Sequence, residues 1–304
     1  MSWLMSHLLI VFGFLLSIPA AAHMLSRRRT PQSSWAWLVL MFAFPWIGVP
    51  IYLLFGCRKV KGQTPDKESM LLINGSKAPV PALTRIDSVL RALGVPAAQS
   101  KNAIKLHNDA KAAYASLLDI IASAQRSIWY ETFIFTPDSV GKEVLDLLCK
   151  QAAAGVEVKL LLDGVGSLHT HRQFFKPLLD AGAKFAWFMP VIRRPFGGPS
   201  LNLRNHRKIV IADGTSVWSG GRNTAEPYLS QSSSWIDLSY SLSGPCCDNF
   251  VCVFRSDWLF ATGRRLEDCQ PAIQKNEGMG EDVAQVIASG PDIPNDALLS
   301  GLLT

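Results

Sequence analysis

The chain has 304 residues, of which 48% are hydrophobic and only 18% are charged. An average soluble chain has about 25% charged residues, so the additional apolar residues must form an unusually apolar core or a membrane segment. This composition excludes a largely disordered protein, and the length predicts about two domains. The formal net charge of +6 favours an acidic partner, which can be anionic lipid, nucleic acid or a phosphorylated substrate.

Two apolar runs lie close to the start of the chain, at residues 3–22 and 35–55. Each has about 20 residues, and a helix of that length spans the ~30 Å hydrocarbon core of a bilayer. The runs predict a transmembrane hairpin over residues 1–57, which would place the N-terminus and the main domain on the same side. Pro45 and Pro50 predict that the second helix is kinked or shallow. A cleaved signal peptide ending at 20–22 and a pair of buried soluble helices are the alternatives.

Basic residues flank both the short loop of this hairpin and its exit. The loop contains Arg27, Arg28 and Arg29, and the exit is followed by Arg58, Lys59 and Lys61. Lys and Arg are retained on the cytoplasmic side of a membrane, so similar numbers on the two sides of a two-span hairpin nearly cancel. The charges of such a hairpin therefore do not determine its orientation.

The remainder of the chain divides by its pattern into three parts. Residues 58–103 are rich in turn-forming residues and predict a linker and a small lead-in. From residue 104 onward, helices are predicted at 110–124, 138–154 and 171–181, and strands at 127–135, 156–162 and 184–188. This alternation predicts an α/β domain over residues 104–262, with a parallel or mixed sheet flanked by helices. Residues 263–304 form a separate C-terminal segment.

One segment, residues 205–223, combines residue types that suit phosphate chemistry. His206 and Lys208 are two positions apart at the start of a predicted strand, a spacing that puts both side chains on one face. A neutral imidazole can attack phosphorus, and a lysine supplies positive charge to the phosphate oxygens. Asp213 and Gly214 form the turn of a predicted hairpin. The segment predicts an oxyanion pocket, against the alternative of a solvated strand end.

Four further polar residues are candidates for contacts with a phosphate. They are Arg204, Ser219, Asn223 and Glu131. Arg204 supplies a guanidinium, while Ser219 and Asn223 belong to a turn of small residues whose polar groups can face an anion. Glu131 lies in an apolar strand, where a carboxylate must be paired or belong to a site. Structural pairing and support of a substrate site both stay open for Glu131.

The string H-x-K-x-x-x-x-D from His206 to Asp213, followed by G-G-x-N at 220–223, resembles the HKD motif of the phospholipase D superfamily. The N-terminal segment resembles the membrane segment of bacterial cardiolipin synthases, with P-x-x-G at 45–48 and Y-L-L-F-G at 52–56. Similar pieces occur around Glu131, at Asp163, and at 235–237 and 254–258. The resemblance follows the order of the chain along nearly its whole length.

This resemblance implies a phospholipase D-like mixed sheet, preceded by two transmembrane helices, and a two-step transfer. His206 would attack a phosphodiester and form a phosphohistidine, Lys208 would bind the phosphate, and Asp213 would orient the site or the histidine by hydrogen bonds. In this family type a phosphatidyl group passes between two phosphatidylglycerol molecules, and glycerol is released.

The same resemblance implies particular partners and a particular location. Anionic phospholipid, phosphatidylglycerol in particular, is the expected substrate, and neither a metal nor another cofactor is implied. Nucleic acid is not an expected partner. The expected location is the bacterial inner membrane, with a multi-pass anchor and the catalytic part in the cytoplasm.

The chain departs from the family pattern because it carries one HKD motif, whereas the family's active site uses two. Of the six histidines, only His206 begins H-x-K. Residues 286–292 resemble the seam before a second catalytic half. We therefore expect a truncated or split synthase that is weakly active alone, a homodimer that combines two copies, or a separate chain that supplies the second motif. Two other hypotheses are a single-motif homodimeric phosphodiesterase or nuclease, and a non-catalytic lipid-binding membrane protein.

Overall fold

The computed structural model describes residues 2–26, 31–56, 85–92, 94–190, 204–230, 233, 235–266 and 280–290. The chain divides into two compact units, which are described separately: Met1–Val60 with Ile192–Leu203, and Lys61–Val191 with Arg204–Thr304. Most of the predicted linker and parts of the predicted C-terminal segment lie outside the described residues.

The first unit contains three apolar helices: α1 Ser2–Leu25, α2 Pro31–Ala43 and α3 Pro45–Phe55. Within α1, Trp3–Leu25 is long and apolar enough to cross a membrane, by length and composition. The second predicted span is not confirmed, because Phe44 has φ −135° and ψ 67° and separates α2 from α3. A proline ring disfavours helical geometry in the residue before it, so the kink expected at Pro45 is a complete break in the helix.

The second unit is built on a mixed sheet, with eight strands among the described residues. They are β1 Gln99–His107, β2 Ser127–Thr132, β3 Glu157–Asp163, β4 Lys184–Phe188, β5 Ile209–Ala212, β6 Ser216–Gly220, β7 Ser239–Ser243 and β8 Asp282–Ala284. Their order is β4-β3-β2-β5-β6-β7-β1-β8. β2, β3 and β4 run parallel to one another, and every pairing from β2–β5 to β1–β8 is antiparallel.

Helices flank this sheet on both faces. The helices described in this unit are α4 Arg85–Ala92, α5 Ala110–Ser123, α6 Ser139–Ala153, α7 Lys176–Asp180, α8 Glu226–Leu229 and α9 Cys247–Thr262. Leu117 of α5 and Leu148 of α6 are fully buried in one core with the strand residue Val210. On the opposite face, Phe254 of α9 stacks on Trp129 of β2 with ring centroids 5.3 Å apart. The predicted α/β architecture, a mixed sheet flanked by helices, is confirmed.

Several element boundaries differ from the sequence expectation. The strand predicted at 127–135 ends at Thr132, because the Ile134 N–H donates to the side chain of Asn223 and leaves the ladder. The helix predicted at 171–181 is a 3₁₀ turn, Arg172–Phe175, followed by α7. The sheet also extends beyond residues 104–262, because β1 begins at Gln99 and β8 comes from the C-terminal segment.

Candidate active site

The amino-terminal end of β5 meets the carboxyl ends of β2, β3 and β6 at one edge of the sheet. Lys208 immediately precedes β5, and its Nζ lies 2.9 Å from Nδ1 of His206. Nζ also donates a 2.6 Å hydrogen bond to the backbone oxygen of His206. Lys208 is buried, whereas His206 is exposed. The structure therefore brings the two residues together, with the lysine behind the histidine.

An aromatic ring from the loop after β2 packs against this pair. The centroid of the Phe133 ring is 4.6 Å from that of the His206 imidazole. Lys208 Nζ lies 5.4 Å from the centroid of the same ring. An aromatic face attracts an ammonium group, so Phe133 both restrains the imidazole and stabilises the charge of the buried lysine.

The protonation states of the pair follow from their burial. Burial lowers the pKa of His206, and the neighbouring Lys208 charge lowers it further. Burial also lowers the pKa of Lys208 to about 8, although the carboxylates of Asp237 and Asp163 oppose this shift. At neutral pH the imidazole is therefore mostly neutral and the lysine mostly charged. An ammonium only donates hydrogen bonds, so Nδ1 of the neutral ring accepts from it.

Asp213, the third residue of the motif, lies at the opposite end of β5. Its carboxylate accepts hydrogen bonds from the backbone N–H groups of Gln125 at 2.8 Å, Arg126 at 2.7 Å and Ser127 at 2.8 Å. The four residues of β5 lie between Lys208 and Asp213, and a strand of four residues alone is ~13 Å long. Asp213 therefore ties the start of β2 to the β5–β6 turn. The expectation that Asp213 hydrogen-bonds to His206 is corrected, because an extended strand carries the two residues apart, whereas an orienting effect on the site through β5 stays a prediction.

Two of the predicted phosphate contacts bond to the backbone instead. Ser219 Oγ donates a 2.7 Å hydrogen bond to the backbone oxygen of Lys208. Asn223 Oδ1 accepts a 3.1 Å hydrogen bond from the N–H of Ile134, in the loop that carries Phe133. Both side chains are buried. Each of them fixes a segment that bears a site residue.

Arg204 and Glu131 both adjoin Asn205, the residue that precedes His206. Arg204 is partly buried and donates a 2.7 Å hydrogen bond to the backbone oxygen of Met189. Burial lowers its pKa, and the charge of Asp163 opposes that shift. Glu131 is buried at the carboxyl end of β2 and accepts a hydrogen bond from the side-chain amide of Asn205. The structure therefore favours the structural-pairing alternative for Glu131.

A polar network that the sequence did not predict holds both neighbours of His206. The Asn205 amide lies 3.2 Å from a carboxylate oxygen of Asp257, which is fully buried in α9 and forms an ion pair with Arg207. Arg207 also donates from its backbone to Asn205 Oδ1 at 3.0 Å and from its guanidinium to the backbone oxygen of Ser289 at 2.9 Å. The sequence feature that could have predicted this network is the polar character of Asn205 and Arg207, which alternate with His206 and Lys208.

Asp163, at the end of β3, supports the same segment from the other side. One of its oxygens accepts from the N–H groups of Val165 at 2.8 Å and Gly166 at 2.9 Å, and the other accepts from the N–H of Asn205 at 3.1 Å. Burial raises its pKa, although these hydrogen bonds act in the opposite direction. Asp163 therefore fixes the backbone immediately before His206 and contributes negative charge near Lys208.

The part of the chain that the structure describes shows no candidate metal site. Among those residues, no group of three or more His, Cys, Asp or Glu side chains is arranged to hold a metal ion. The chemistry that these residues can support is nucleophilic attack by an imidazole on a phosphorus atom whose oxygens face a lysine ammonium.

Comparison with known proteins gives matches in both units. A family model described as "Cardiolipin synthase, PLD-like domain" matches residues 117–258. A second, described as "Phospholipase_D-nuclease N-terminal", matches residues 15–56. A solved structure, the phospholipase D family member Nuc from Salmonella typhimurium, has a TM-score of 0.42 and 18% identity, over 55% of this chain and 99% of its own.

Curated relatives match in the same order along the chain. The cardiolipin synthase of Alkalihalophilus pseudofirmus is 29% identical over 96% of this chain and 61% of its own length. Cardiolipin synthase A of Pseudomonas putida is 32% identical over 93% of this chain and 62% of its own length. The chain thus spans about three fifths of the length of these relatives. The matches follow the same order along the chain, so residues 117–258 form a PLD-like domain of cardiolipin synthase type, preceded at 15–56 by the N-terminal segment of phospholipase D-type proteins.

Proposed function

We propose that the chain is the part of a membrane-bound, cardiolipin synthase-type phosphatidyltransferase that carries the nucleophilic histidine. The observation that carries the proposal is the 2.9 Å contact between exposed His206 and buried Lys208. A neutral imidazole beside an ammonium group supplies both a nucleophile for phosphorus and positive charge for the phosphate oxygens. The cardiolipin synthases that the chain resembles support phosphatidylglycerol as the lipid.

In the first step, an imidazole nitrogen of His206 attacks the phosphorus of phosphatidylglycerol. A P–N bond forms while the P–O bond to glycerol breaks, and the glycerol oxygen takes a proton from a general acid. Lys208 transfers its hydrogen bond from Nδ1 to the phosphate oxygens. In the second step, the hydroxyl of another phosphatidylglycerol attacks, the P–N bond breaks, and the hydroxyl proton returns to the same acid–base group. The products are cardiolipin and glycerol.

The acid–base group comes from a second HKD motif in this proposal. Only His206 begins H-x-K in the given sequence, and the chain spans about three fifths of its curated relatives. A continuation of the same polypeptide, a second copy of the chain or a separate chain supplies the other motif. Glycerol is a poor leaving group without a proton, so the chain alone is weakly active on phosphatidylglycerol.

The remaining candidate residues divide into two roles. Arg204 adjoins the histidine segment, and we assign it to the phosphate as an additional donor. Ser219, Asn223 and Glu131 are positioning residues, because each acts on the site through a backbone segment or through Asn205. Asp213 stabilises the fold away from the reacting atoms.

The proposed location is the bacterial inner membrane. The apolar segment Trp3–Leu25 supports membrane attachment, and the net charge of +6 suits an anionic lipid surface. Residues 1–57 form the anchor, and 58–103 connect it to the catalytic half at 104–262. Residues 263–304 follow that half, which we place on the cytoplasmic side.

The experiment uses a substrate that needs no general acid, the p-nitrophenyl ester of phosphatidic acid. The purified full chain should release about one equivalent of p-nitrophenolate in a burst, because the phosphatidyl group then stays on His206. His206→Asn should abolish the burst, and His171→Asn, which changes an exposed histidine of the same unit, should retain it. A burst that survives His206→Asn, or no burst with wild type, overturns the proposal. Cleavage of DNA that depends on His206 would instead favour the nuclease alternative.

A further inference from the structure

The three helices of the first unit are arranged differently from a two-span hairpin. Ring centroids of Trp37 in α2 and Tyr52 in α3 are 5.4 Å apart. Fifteen residues along one continuous helix would separate these positions by ~22 Å. Gly48 lies so close to the backbone of Leu40 that a Cβ at Gly48 would collide with the Leu40 oxygen. Residues at similar distances before and after Phe44 therefore contact each other, so α2 and α3 form an antiparallel helical hairpin.

The tip of the α2–α3 hairpin lies at the level of the middle of α1. Phe42 contacts Phe14 with ring centroids 6.3 Å apart, and Trp46 contacts Phe12 at 5.8 Å. Further along α3, Tyr52 lies 2.8 Å from Nδ1 of His23, close to the Leu25 end of α1. Both open ends of the hairpin thus lie beside the Leu25 end, while its tip reaches only halfway along α1.

The helix lengths agree with a hairpin that reaches only halfway along α1. α1 has 24 residues and is ~36 Å long, which is enough for the ~30 Å hydrocarbon core. α2 and α3 have 13 and 11 residues, so they are only ~20 Å and ~17 Å long. Neither crosses a bilayer alone, and they run in opposite directions.

The break at the tip would expose backbone polar groups to lipid unless they were bonded within the protein. Ser17 of α1 donates a 2.7 Å hydrogen bond to the backbone oxygen of Met41, in the last turn of α2. The backbone oxygen of Leu40 accepts from the N–H of Phe44 at 3.1 Å, and that of Phe44 accepts from the N–H of Gly48 at 2.6 Å. The hairpin tip is therefore chemically suited to the middle of a membrane.

We propose that α1 crosses the membrane once and that α2–α3 is a re-entrant hairpin, which enters and leaves the same lipid leaflet. The chain then continues from Gly56 on the face where α1 ends at Leu25, opposite the N-terminal end of α1. This topology differs from the two-span expectation, which put both on one side. It rests on the membrane location proposed above and is independent of the chemistry at His206.

The basic residues of the sequence support this topology independently. In a two-span hairpin they lie on both sides of the membrane, but in the re-entrant arrangement they all lie on one side. They are Arg27, Arg28, Arg29, Arg58, Lys59 and Lys61. No Lys or Arg occurs in residues 1–26. The Leu25 face is therefore cytoplasmic by the positive-inside rule.

Protease protection of a doubly tagged full chain tests the topology. With epitope tags at both ends and the protein in a bacterial inner membrane, protease outside spheroplasts should remove the N-terminal tag and spare the C-terminal one. Inverted vesicles should give the reverse. If both tags are protected or both are cut, or if the protein is washed from the membrane by carbonate, the proposal is overturned. The readout does not use phosphatidyl transfer, so its failure and that of the proposed enzyme activity are distinguishable.

A second measurement tests the hairpin itself. In a chain whose Cys57 is replaced by Ser, the pair Trp37→Cys and Tyr52→Cys should cross-link with a short bifunctional thiol reagent. The pair Trp3→Cys and Tyr52→Cys should not, because Trp3 lies at the N-terminal end of α1 and Tyr52 of α3 lies beside the opposite end. Gly48→Leu should reduce the first cross-link because its side chain collides with α2, whereas Leu53→Ile at an exposed position should leave it unchanged. Equal cross-linking of both pairs, or of neither, contradicts the hairpin.

Discussion

Substitution of Asp213 distinguishes a role in fold stability from a role in the reaction at His206. Its carboxylate accepts three backbone N–H bonds of 2.7–2.8 Å at the start of β2. Hydrogen bonds to charged groups contribute about 1.5–3 kcal/mol each when buried, and partial exposure here reduces this to about 1 kcal/mol each. Asp213 also has a φ of 55°, which costs an alanine about 1 kcal/mol more. We therefore expect Asp213→Ala to lose about 4 kcal/mol and Asp213→Gly about 3 kcal/mol.

Thermal melting in detergent measures both losses. A unit of this size changes its Tm by about 2–4 °C for each kcal/mol, so Asp213→Gly should melt about 6–12 °C lower. At a temperature where the variant stays folded, its burst with the p-nitrophenyl lipid should match wild type. The comparison of glycine with alanine isolates the left-handed backbone strain from the hydrogen bonds. An unchanged Tm together with a lost burst would refute this reasoning and restore a role for Asp213 in the chemistry.

Three further outcomes follow from the site. The burst rate divided by KM should fall as pH rises through about 8, because an uncharged Lys208 no longer stabilises the phosphate. Lys208→Arg should remove this fall, because arginine stays charged. An identical pH profile in both proteins would contradict the assignment of this titration to Lys208. At low pH the rate should persist below the usual histidine range, since the pKa of His206 is lowered; a fall that begins above pH 6.5 would show that a different group titrates. Asp257→Ala should cost about 3–5 kcal/mol in unfolding free energy, because it leaves Arg207 without its buried carboxylate. The double variant Asp257→Ala with Arg207→Ala should lose less than the sum of the two single losses. Strict additivity would rule out an energetic coupling between the two side chains.

The strand–helix pattern and the central contact of the site follow from local rules. A spacing of two on a strand predicts that His206 and Lys208 share a face, and the structure places their side chains 2.9 Å apart. The same strand geometry moves Asp213 away from His206. The compact string H-x-K-x-x-x-x-D nevertheless favoured a joint role, because motif spacing in sequence was read as proximity in space.

Other features depend on contacts that no local pattern contains. Asp257 reaches Asn205 and Arg207 only because α9 packs across the face of the sheet, 50 and more residues along the chain. Hydropathy identified the apolar runs of the first unit but not the hairpin, since a broken helix and a continuous one have the same composition. Phe44 is an example. The proline that follows it predicts a kink, but the angle between α2 and α3 depends on packing against α1, where Ser17 bonds to Met41 and Phe14 contacts Phe42.

The most direct test of the central claim is the chemical identity of the adduct left after the burst. Peptide mass mapping of the full chain, quenched after reaction with the p-nitrophenyl lipid, should locate one phosphatidyl group on His206. The linkage should be labile in acid, as expected for a P–N bond, and it should be absent from His206→Asn but present in Asp213→Gly. A stable adduct on a serine, or release of p-nitrophenolate with no adduct on the histidine, would contradict the account.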